Sequence, residues 1–129
     1  MKKILIVDDD VRILNTTRKV LKATGAYEVL TEDSSRRAVA AATTFQPDLV
    51  ILDVMMPGMD GGDVASALRA QPATRNIPIL FQTSLLSKRD ATVLQARAKD
   101  ATQYLAKSTD PQELCRRVAE LLSAKQDEQ

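Results

Sequence analysis

The chain has no histidine and no tryptophan, and its single cysteine is Cys115. Without histidine, Ser-His and Cys-His nucleophilic pairs and histidine-ligated zinc sites are excluded. One cysteine cannot form an internal disulfide, so we expect a cytoplasmic location. The apolar runs are too short to span a bilayer. The N-terminal lysines precede only four aliphatic residues and then aspartates, which is unlike a signal peptide.

The chain also has no large excess of charge of either sign, because 18 basic residues are balanced by 17 acidic residues for a net charge of +1. This balance gives no reason to expect that the chain binds nucleic acid or a membrane surface directly. The 129 residues suit one domain that can bury its own core. We expect that domain over residues 1–124, with a polar tail or the beginning of a linker over 125–129.

Short aliphatic runs alternate with longer segments of helical period, which predicts five strands and five helices. Such alternation is typical of an α/β fold, in which helices cover both faces of a parallel sheet. The last helix has the clearest start, with Asp110 as N-cap, Pro111 in the first position and Glu113 three residues after the cap. The predicted strands are 4–7, 27–30, 49–52, 79–82 and 103–106, and the other predicted helices are 11–23, 34–45, 61–70 and 87–98.

Polar side chains follow four of the five predicted strands. Parallel strands end at the same edge of a sheet, which is where α/β proteins bind their ligands, so we expect these side chains to lie together. They are Asp8, Asp9 and Asp10 after the first strand, Asp53 after the third, Thr83 after the fourth and Lys107 after the fifth.

These residue types suit phosphoryl chemistry. Crowded carboxylates have raised pKa values unless a cation neutralises them, and oxygen-only ligands favour Mg²⁺. A lysine and a hydroxyl can bind phosphoryl oxygens, and an aspartate can attack phosphorus to form an acyl phosphate. Each residue alone also has a structural explanation as a helix cap or a turn residue. Their occurrence together at one edge favours a site.

At these residues the sequence resembles the receiver domain of bacterial response regulators, the CheY-like family of two-component signalling. The most specific motif is Asp-x-x-Met-Pro-x-Met-Asp-Gly, which begins at Asp53. The resemblance implies a (βα)5 doubly wound, five-stranded parallel sheet with the flavodoxin-like strand order 2-1-3-4-5. It extends over nearly all of residues 3–123, and the segments that carry it are 4–9, 47–61, 77–83, 104–107 and 110–114.

The resemblance implies that Asp53 accepts a phosphoryl group from a phosphohistidine of a sensor kinase or of a phosphotransfer protein. It implies a Mg²⁺ site formed by Asp8, Asp9, Asp53 and the backbone carbonyl of Met55. The chain would then be a regulatory phosphoacceptor, and the only reactions it would promote are its own phosphorylation and dephosphorylation.

The resemblance also implies a switch. Lys107 and Thr83 would contact the phosphoryl oxygens, and Tyr104 would turn inward as the segment after Thr83 closes. The surface that responds would comprise the fourth helix, the fifth strand and the fifth helix, and it could also form a homodimer. Ser108 stands where the family usually has proline after the lysine. A cis bond to a non-proline residue costs about 2.5–4 kcal/mol, so cis and trans both stay open there.

Two other functions stay open at this point. One is a receiver-like scaffold that binds partners without phosphorylation. The other is a phosphohydrolase of the haloacid dehalogenase type, since Asp8 and Asp10 form an Asp-x-Asp motif after a strand. That family would have threonine or valine at position 12, where this chain has Arg12, and it would leave the Asp53 motif unexplained.

Overall fold

The computed structural model describes residues 1–83, 103–107 and 109–127. The predicted helix at 87–98 lies outside these residues, and so does Ser108 with its two peptide bonds. The strands are β1 (Lys2–Val7), β2 (Tyr27–Glu32), β3 (Leu49–Asp53), β4 (Ile79–Thr83) and β5 (Gln103–Ala106). The helices are α1 (Val11–Ala23), α2 (Ser35–Phe45), α3 (Gly61–Ala70) and a C-terminal helix (Pro111–Asp127).

The five strands form one parallel sheet in the order β2-β1-β3-β4-β5, which confirms the expected topology. The register aligns the carboxyl ends of the four strands that precede the polar residues. Val7 pairs with Leu52, so Asp8 and Asp53 are the next residues on neighbouring strands. Thr83 pairs with Ala106, so Lys107 follows beside the end of β4. The sheet therefore delivers all these residues to one edge.

Side-chain alternation along the strands divides the core into two layers. Leu5 and Val7 of β1 face α2 and α3, and they pack in a cluster with small or branched helix residues such as Ala42 and Val64. Ile4 and Ile6 face the opposite layer, where they pack with residues of α1 and the C-terminal helix. β1, β3 and β4 are covered on both sides, which explains their nearly uninterrupted apolar sequences.

Local signals in the sequence explain most of the helix ends. Asp10 caps α1, because its side chain accepts a hydrogen bond from the Arg12 N–H. After α1 the chain turns at Gly25, whose φ of 75° is readily adopted only by glycine. Asp110 Oδ1 accepts a hydrogen bond from the Glu113 N–H at 2.9 Å, which confirms the predicted cap of the last helix. Ser34 is the N-cap of α2, but its side chain makes no capping hydrogen bond.

The C-terminal helix continues to Asp127, beyond the position at which the polar tail was predicted to begin. On its exposed side Arg116 forms ion pairs with Glu113 and Glu120 of the same helix. The hydrogen bond from Arg116 lowers the pKa of Glu113 below its ordinary value. In the described ranges, none of the helices has both the length and the apolar composition needed to cross a membrane.

Candidate functional site

Two buried carboxylates share one lysine at the carboxyl edge of the sheet. Asp8 is 1% exposed and Asp53 is 3% exposed. Lys107 Nζ lies 2.9 Å from Asp8 Oδ2 and 3.3 Å from Asp53 Oδ1. The ends of β1, β3 and β5 thus each provide one charged group. The two carboxylates carry more negative charge than the single lysine can neutralise.

Backbone N–H groups also donate hydrogen bonds to these two carboxylates. Asp8 Oδ1 accepts a hydrogen bond from the Asp10 N–H at 2.9 Å, and Asp53 Oδ1 accepts a longer one from the Met55 N–H at 3.4 Å. Asp8 Oδ2 is buried and has no hydrogen-bond partner among the described residues. It lies 2.9 Å from Lys107 Nζ, with which it forms an ion pair. This oxygen therefore retains capacity for a further ligand.

This environment shifts the pKa values of Asp53 and of Lys107. Burial, followed by repulsion from Asp8, raises the pKa of Asp53 from 3.8 to about 7, although Lys107 opposes the shift. Burial alone would lower the pKa of Lys107, but the two carboxylates outweigh it and the net pKa is raised. Lys107 therefore stays charged at neutral pH. Asp53 is only partly ionised there unless a further cation binds, as the sequence led us to expect.

The donor set fits a small divalent cation. One carboxylate oxygen from each of Asp8, Asp9 and Asp53 can be chosen so that all three lie within 4.8 Å of one another. Two ligands on opposite sides of a Mg²⁺ ion are about 4.2 Å apart, so only a small adjustment is needed. Asp9 is exposed while the other two are buried, which leaves one side open for water and a substrate. Asp8 Oδ2, which is buried and lacks a hydrogen-bond partner among the described residues, strengthens the fit.

The loop after Asp53 depends on a very close backbone contact. A Cβ atom on Gly61 would lie 2.4 Å from the Asp53 carbonyl oxygen and 2.9 Å from Val54 Cα. The Gly61 N–H donates to the Val54 carbonyl at 2.8 Å, which joins the two ends of the loop. Asp60 and Asp63 then form a reciprocal capping box at the start of α3. Only glycine at position 61 allows this closure without displacing the backbone.

The two predicted switch residues lie beside this site. Thr83 is buried at the end of β4, and its carbonyl accepts a hydrogen bond from the Lys107 N–H at 2.8 Å. Tyr104 stacks on Phe81 with ring centroids 5.3 Å apart, and burial raises the pKa of its hydroxyl. The hydroxyl oxygen is buried without a hydrogen-bond partner in the described part of the chain. Tyr104 therefore already points inward, on the same side of the sheet as Phe81.

Of the predicted site residues, Asp8, Asp9, Asp53 and Lys107 are brought together directly. The roles of Thr83 and of the Met55 carbonyl stay predictions. Two contributors were not predicted. The close approach of Gly61 has a sequence signal, since Gly61 is the last residue of the Asp-x-x-Met-Pro-x-Met-Asp-Gly motif that begins at Asp53. Ser35 of α2 hydrogen-bonds to the loop, and nothing in the local sequence distinguishes it from Ser34.

A doubly wound parallel sheet with aspartates and a lysine at its carboxyl edge defines a class of α/β domains whose ligand site lies beyond the strand ends. The profile of the response regulator receiver domain family matches residues 4–119. The chain belongs to this family, and it is a receiver domain of two-component signalling.

Similar proteins agree with this assignment. The chain is 37% identical over 122 residues to the DNA-binding dual master transcriptional regulator RpaA of Synechocystis, covering 95% of this chain and 49% of that protein. It is 39% identical to the response regulator PleD of Caulobacter vibrioides, covering 92% of this chain and 26% of that protein. It thus spans half or less of the length of these relatives.

Among solved structures, the chemotaxis protein CheY4 of Vibrio cholerae superimposes with a TM-score of 0.83 at 32% identity. The match covers 94% of this chain and 98% of that chain. The similarity therefore includes a receiver structure of nearly the same length, as well as receiver segments of longer proteins. Neither the scaffold nor the phosphohydrolase alternative is supported by these similarities.

Proposed function

We propose that Asp53 is the phosphoacceptor of this receiver domain and that the reaction depends on Mg²⁺. The observation that carries this proposal is the buried Asp53 carboxylate, which shares Lys107 with Asp8 and lies within metal-ligand distance of Asp9. The donor would be a phosphohistidine of a sensor kinase or of a phosphotransfer protein, most simply in the cytoplasm.

The transfer requires no histidine in this chain. An ionised Asp53 oxygen attacks phosphorus, the bond from phosphorus to the donor's imidazole nitrogen breaks, and the released imidazole takes up a proton. The product is an aspartyl phosphate. Lys107 is positioned by Asp8 and stays charged, so it can form an ion pair with the phosphoryl oxygens once they are attached to Asp53.

Asp8, Asp9, Asp53 and the Met55 carbonyl would hold the metal. When bound, Mg²⁺ supplies positive charge that offsets the carboxylates and the phosphoryl oxygens. Because the pKa of Asp53 is raised to about 7 by burial and by Asp8, any added cation also favours the ionised nucleophile. The excess of negative charge at the site thus explains why transfer would need a metal.

Phosphorylation would act on the rest of the domain through Thr83 and Tyr104. The Thr83 hydroxyl would bind a phosphoryl oxygen, and the segment after β4 would move together with Thr83. The inward Tyr104 ring, held against Phe81, would then be favoured over outward orientations. The responding surface would include β5 and the C-terminal helix, and it would control a partner, a second copy of the chain or an output domain.

The test is incubation with Mg²⁺ and acetyl phosphate, followed by measurement of the intact mass. We expect the mass of one phosphoryl group to be gained by the wild type and not by Asp53→Asn. Asp10→Asn is the matched control, because asparagine caps a helix as well as aspartate does and Asp10 lies outside the proposed ligand set. Labelling that persists in Asp53→Asn, or that is independent of Mg²⁺, would contradict the proposal.

A further inference from the structure

A serine of α2 links two backbone groups of the loop that follows Asp53. Ser35 is the first residue of α2 and is 4% exposed. Its hydroxyl donates a hydrogen bond to the Pro57 carbonyl at 3.1 Å and accepts one from the Met59 N–H at 3.3 Å. The side chain therefore uses both its donor and its acceptor capacity on one loop, 22 and 24 residues further along the chain.

The loop that follows Asp53 borders an open cleft next to Ser35. Met56 inserts into the core between the sheet and the helices, which anchors the inner side of the loop. The outer side borders a cleft of about 320 Å³, lined by Asp9, Ser35, Arg36 and Gly58 among others. Because there is open space next to the turn, the hydrogen bonds to Ser35 have more influence on its position than they would have in a close-packed core.

Arg36 supports the same turn through contact. Gly58 has a φ of 85°, and a Cβ atom there would lie 3.2 Å from Arg36 Nε. The guanidinium therefore occupies the space next to the Gly58 backbone where a side chain would otherwise be. Two consecutive residues at the start of α2 thus hold the turn 57–59, which lies between the Met55 carbonyl and the closure at Gly61.

We propose that Ser35 is a positioning residue for the divalent cation. It holds the loop in the conformation in which the Met55 carbonyl can join the carboxylates of Asp8, Asp9 and Asp53. This inference rests on the proposed metal site, and it assigns to α2 an influence on metal affinity although α2 contributes no ligand. Ser35→Ala should weaken Mg²⁺ binding without affecting the carboxylates themselves.

The test compares Ser35→Ala with Ser34→Ala by titration calorimetry of the unphosphorylated protein with MgCl₂. Ser34 is a matched control, since it is the adjacent serine and makes no capping hydrogen bond. Alanine favours helix, so neither substitution should melt α2. Ser35→Ala removes both hydrogen bonds to the loop. We expect its Mg²⁺ Kd to rise about fivefold to thirtyfold, the factors that one and two net hydrogen bonds of typical strength represent. Ser34→Ala should stay within about twofold of the wild type.

Two further readouts separate positioning from a general loss of structure. In metal-free Ser35→Ala, hydrogen exchange should accelerate at the Met59 N–H and not in β1. In labelling with acetyl phosphate, the half-saturating Mg²⁺ concentration should rise, while the rate at saturating Mg²⁺ stays unchanged. An unchanged Mg²⁺ Kd in Ser35→Ala overturns this inference and leaves the phosphoacceptor intact. Failure of the wild type to bind Mg²⁺ overturns both.

Discussion

Replacing Asp53 by asparagine should make the metal-free protein more stable at alkaline pH, although it removes the proposed nucleophile. Burial and the nearby Asp8 raise the pKa of Asp53 from 3.8 to about 7, so its ionised form is disfavoured in the folded chain. That difference corresponds to roughly 4 kcal/mol between the folded and unfolded states. That difference already includes the opposing effect of Lys107. Because asparagine still buries a polar amide that needs hydrogen-bond partners, we expect a net gain of only about 2 kcal/mol in the free energy of unfolding.

The sign of the pH dependence follows from proton binding. Below about pH 4 Asp53 is protonated in both the folded and the unfolded chain, and its ionisation costs nothing. Between about pH 4 and pH 7 the unfolded chain loses this proton while the folded chain keeps it, so the stability of the wild type falls as pH rises. Above about pH 7 the carboxylate is ionised in both states and the loss is complete. The advantage of Asp53→Asn should therefore grow across this window.

Urea unfolding followed by far-ultraviolet circular dichroism measures the effect, since the chain has no tryptophan to report by fluorescence. The measurement uses EDTA-treated protein at about pH 4 and about pH 8. Asp33→Asn is the control, because Asp33 is exposed and pairs only at the surface with Arg37. Adding Mg²⁺ should stabilise the wild type and not Asp53→Asn. A lower stability of Asp53→Asn than of the wild type at about pH 8 without metal would refute this expectation.

Three other substitutions test separate parts of the structure. Lys107→Met should raise the pKa of Asp53 further, because the lysine charge opposes its shift. A carboxyl ¹³C titration measures this pKa, and a value below that of the wild type would contradict the expectation. Gly61→Ala would place a Cβ atom 2.4 Å from the Asp53 carbonyl oxygen, so urea unfolding should show a loss of about 1–3 kcal/mol and labelling should slow. Thr74→Val removes the buried 2.6 Å hydrogen bond to the Leu68 carbonyl, so stability should fall by about 1–2 kcal/mol while the Mg²⁺ Kd stays unchanged.

The sequence predicted the strands well because each central strand is a distinct apolar run. β1 begins at Lys2, two residues before its predicted start, and the other differences lie at the carboxyl ends. β2 continues through Glu32 instead of ending at Leu30, since the backbone of its last two residues still pairs with β1. β3 and β4 likewise include Asp53 and Thr83, one residue more than predicted. A polar side chain can end an apolar pattern without ending the hydrogen-bonded ladder, so hydropathy alone places these ends too early.

The residues of the site could be predicted from the sequence, but the distances between them and the raised pKa of Asp53 could not. Strand ends in a parallel sheet converge, so Asp8, Asp53 and Lys107 could be grouped from their order in the sequence. Which carboxylate binds the lysine more closely depends on side-chain geometry, and the shorter distance to Asp8 could not have been foreseen. The raised pKa of Asp53 depends in the same way on burial and on its distance from Asp8.

Long-range contacts to the loop that follows Asp53 could not be predicted from the sequence either. Ser35 and Pro57 are 22 residues apart, and no periodicity links a serine at a helix start to a carbonyl in another loop. The inward orientation of Tyr104 also depends on its neighbour Phe81 in β4, which the sequence places 23 positions away. Features of this kind arise from the packing of whole elements, and only the folded chain reveals them.

The most direct test of the central claim identifies the residue that carries the phosphoryl group. The protein would be labelled with acetyl phosphate and Mg²⁺, and the acyl phosphate would be reduced with borohydride, which converts a phosphorylated aspartate to homoserine. Peptide mass spectrometry then locates the change. We predict homoserine at position 53 and aspartate at positions 8, 9 and 10. Homoserine at one of those three positions, with position 53 unchanged, would contradict the account.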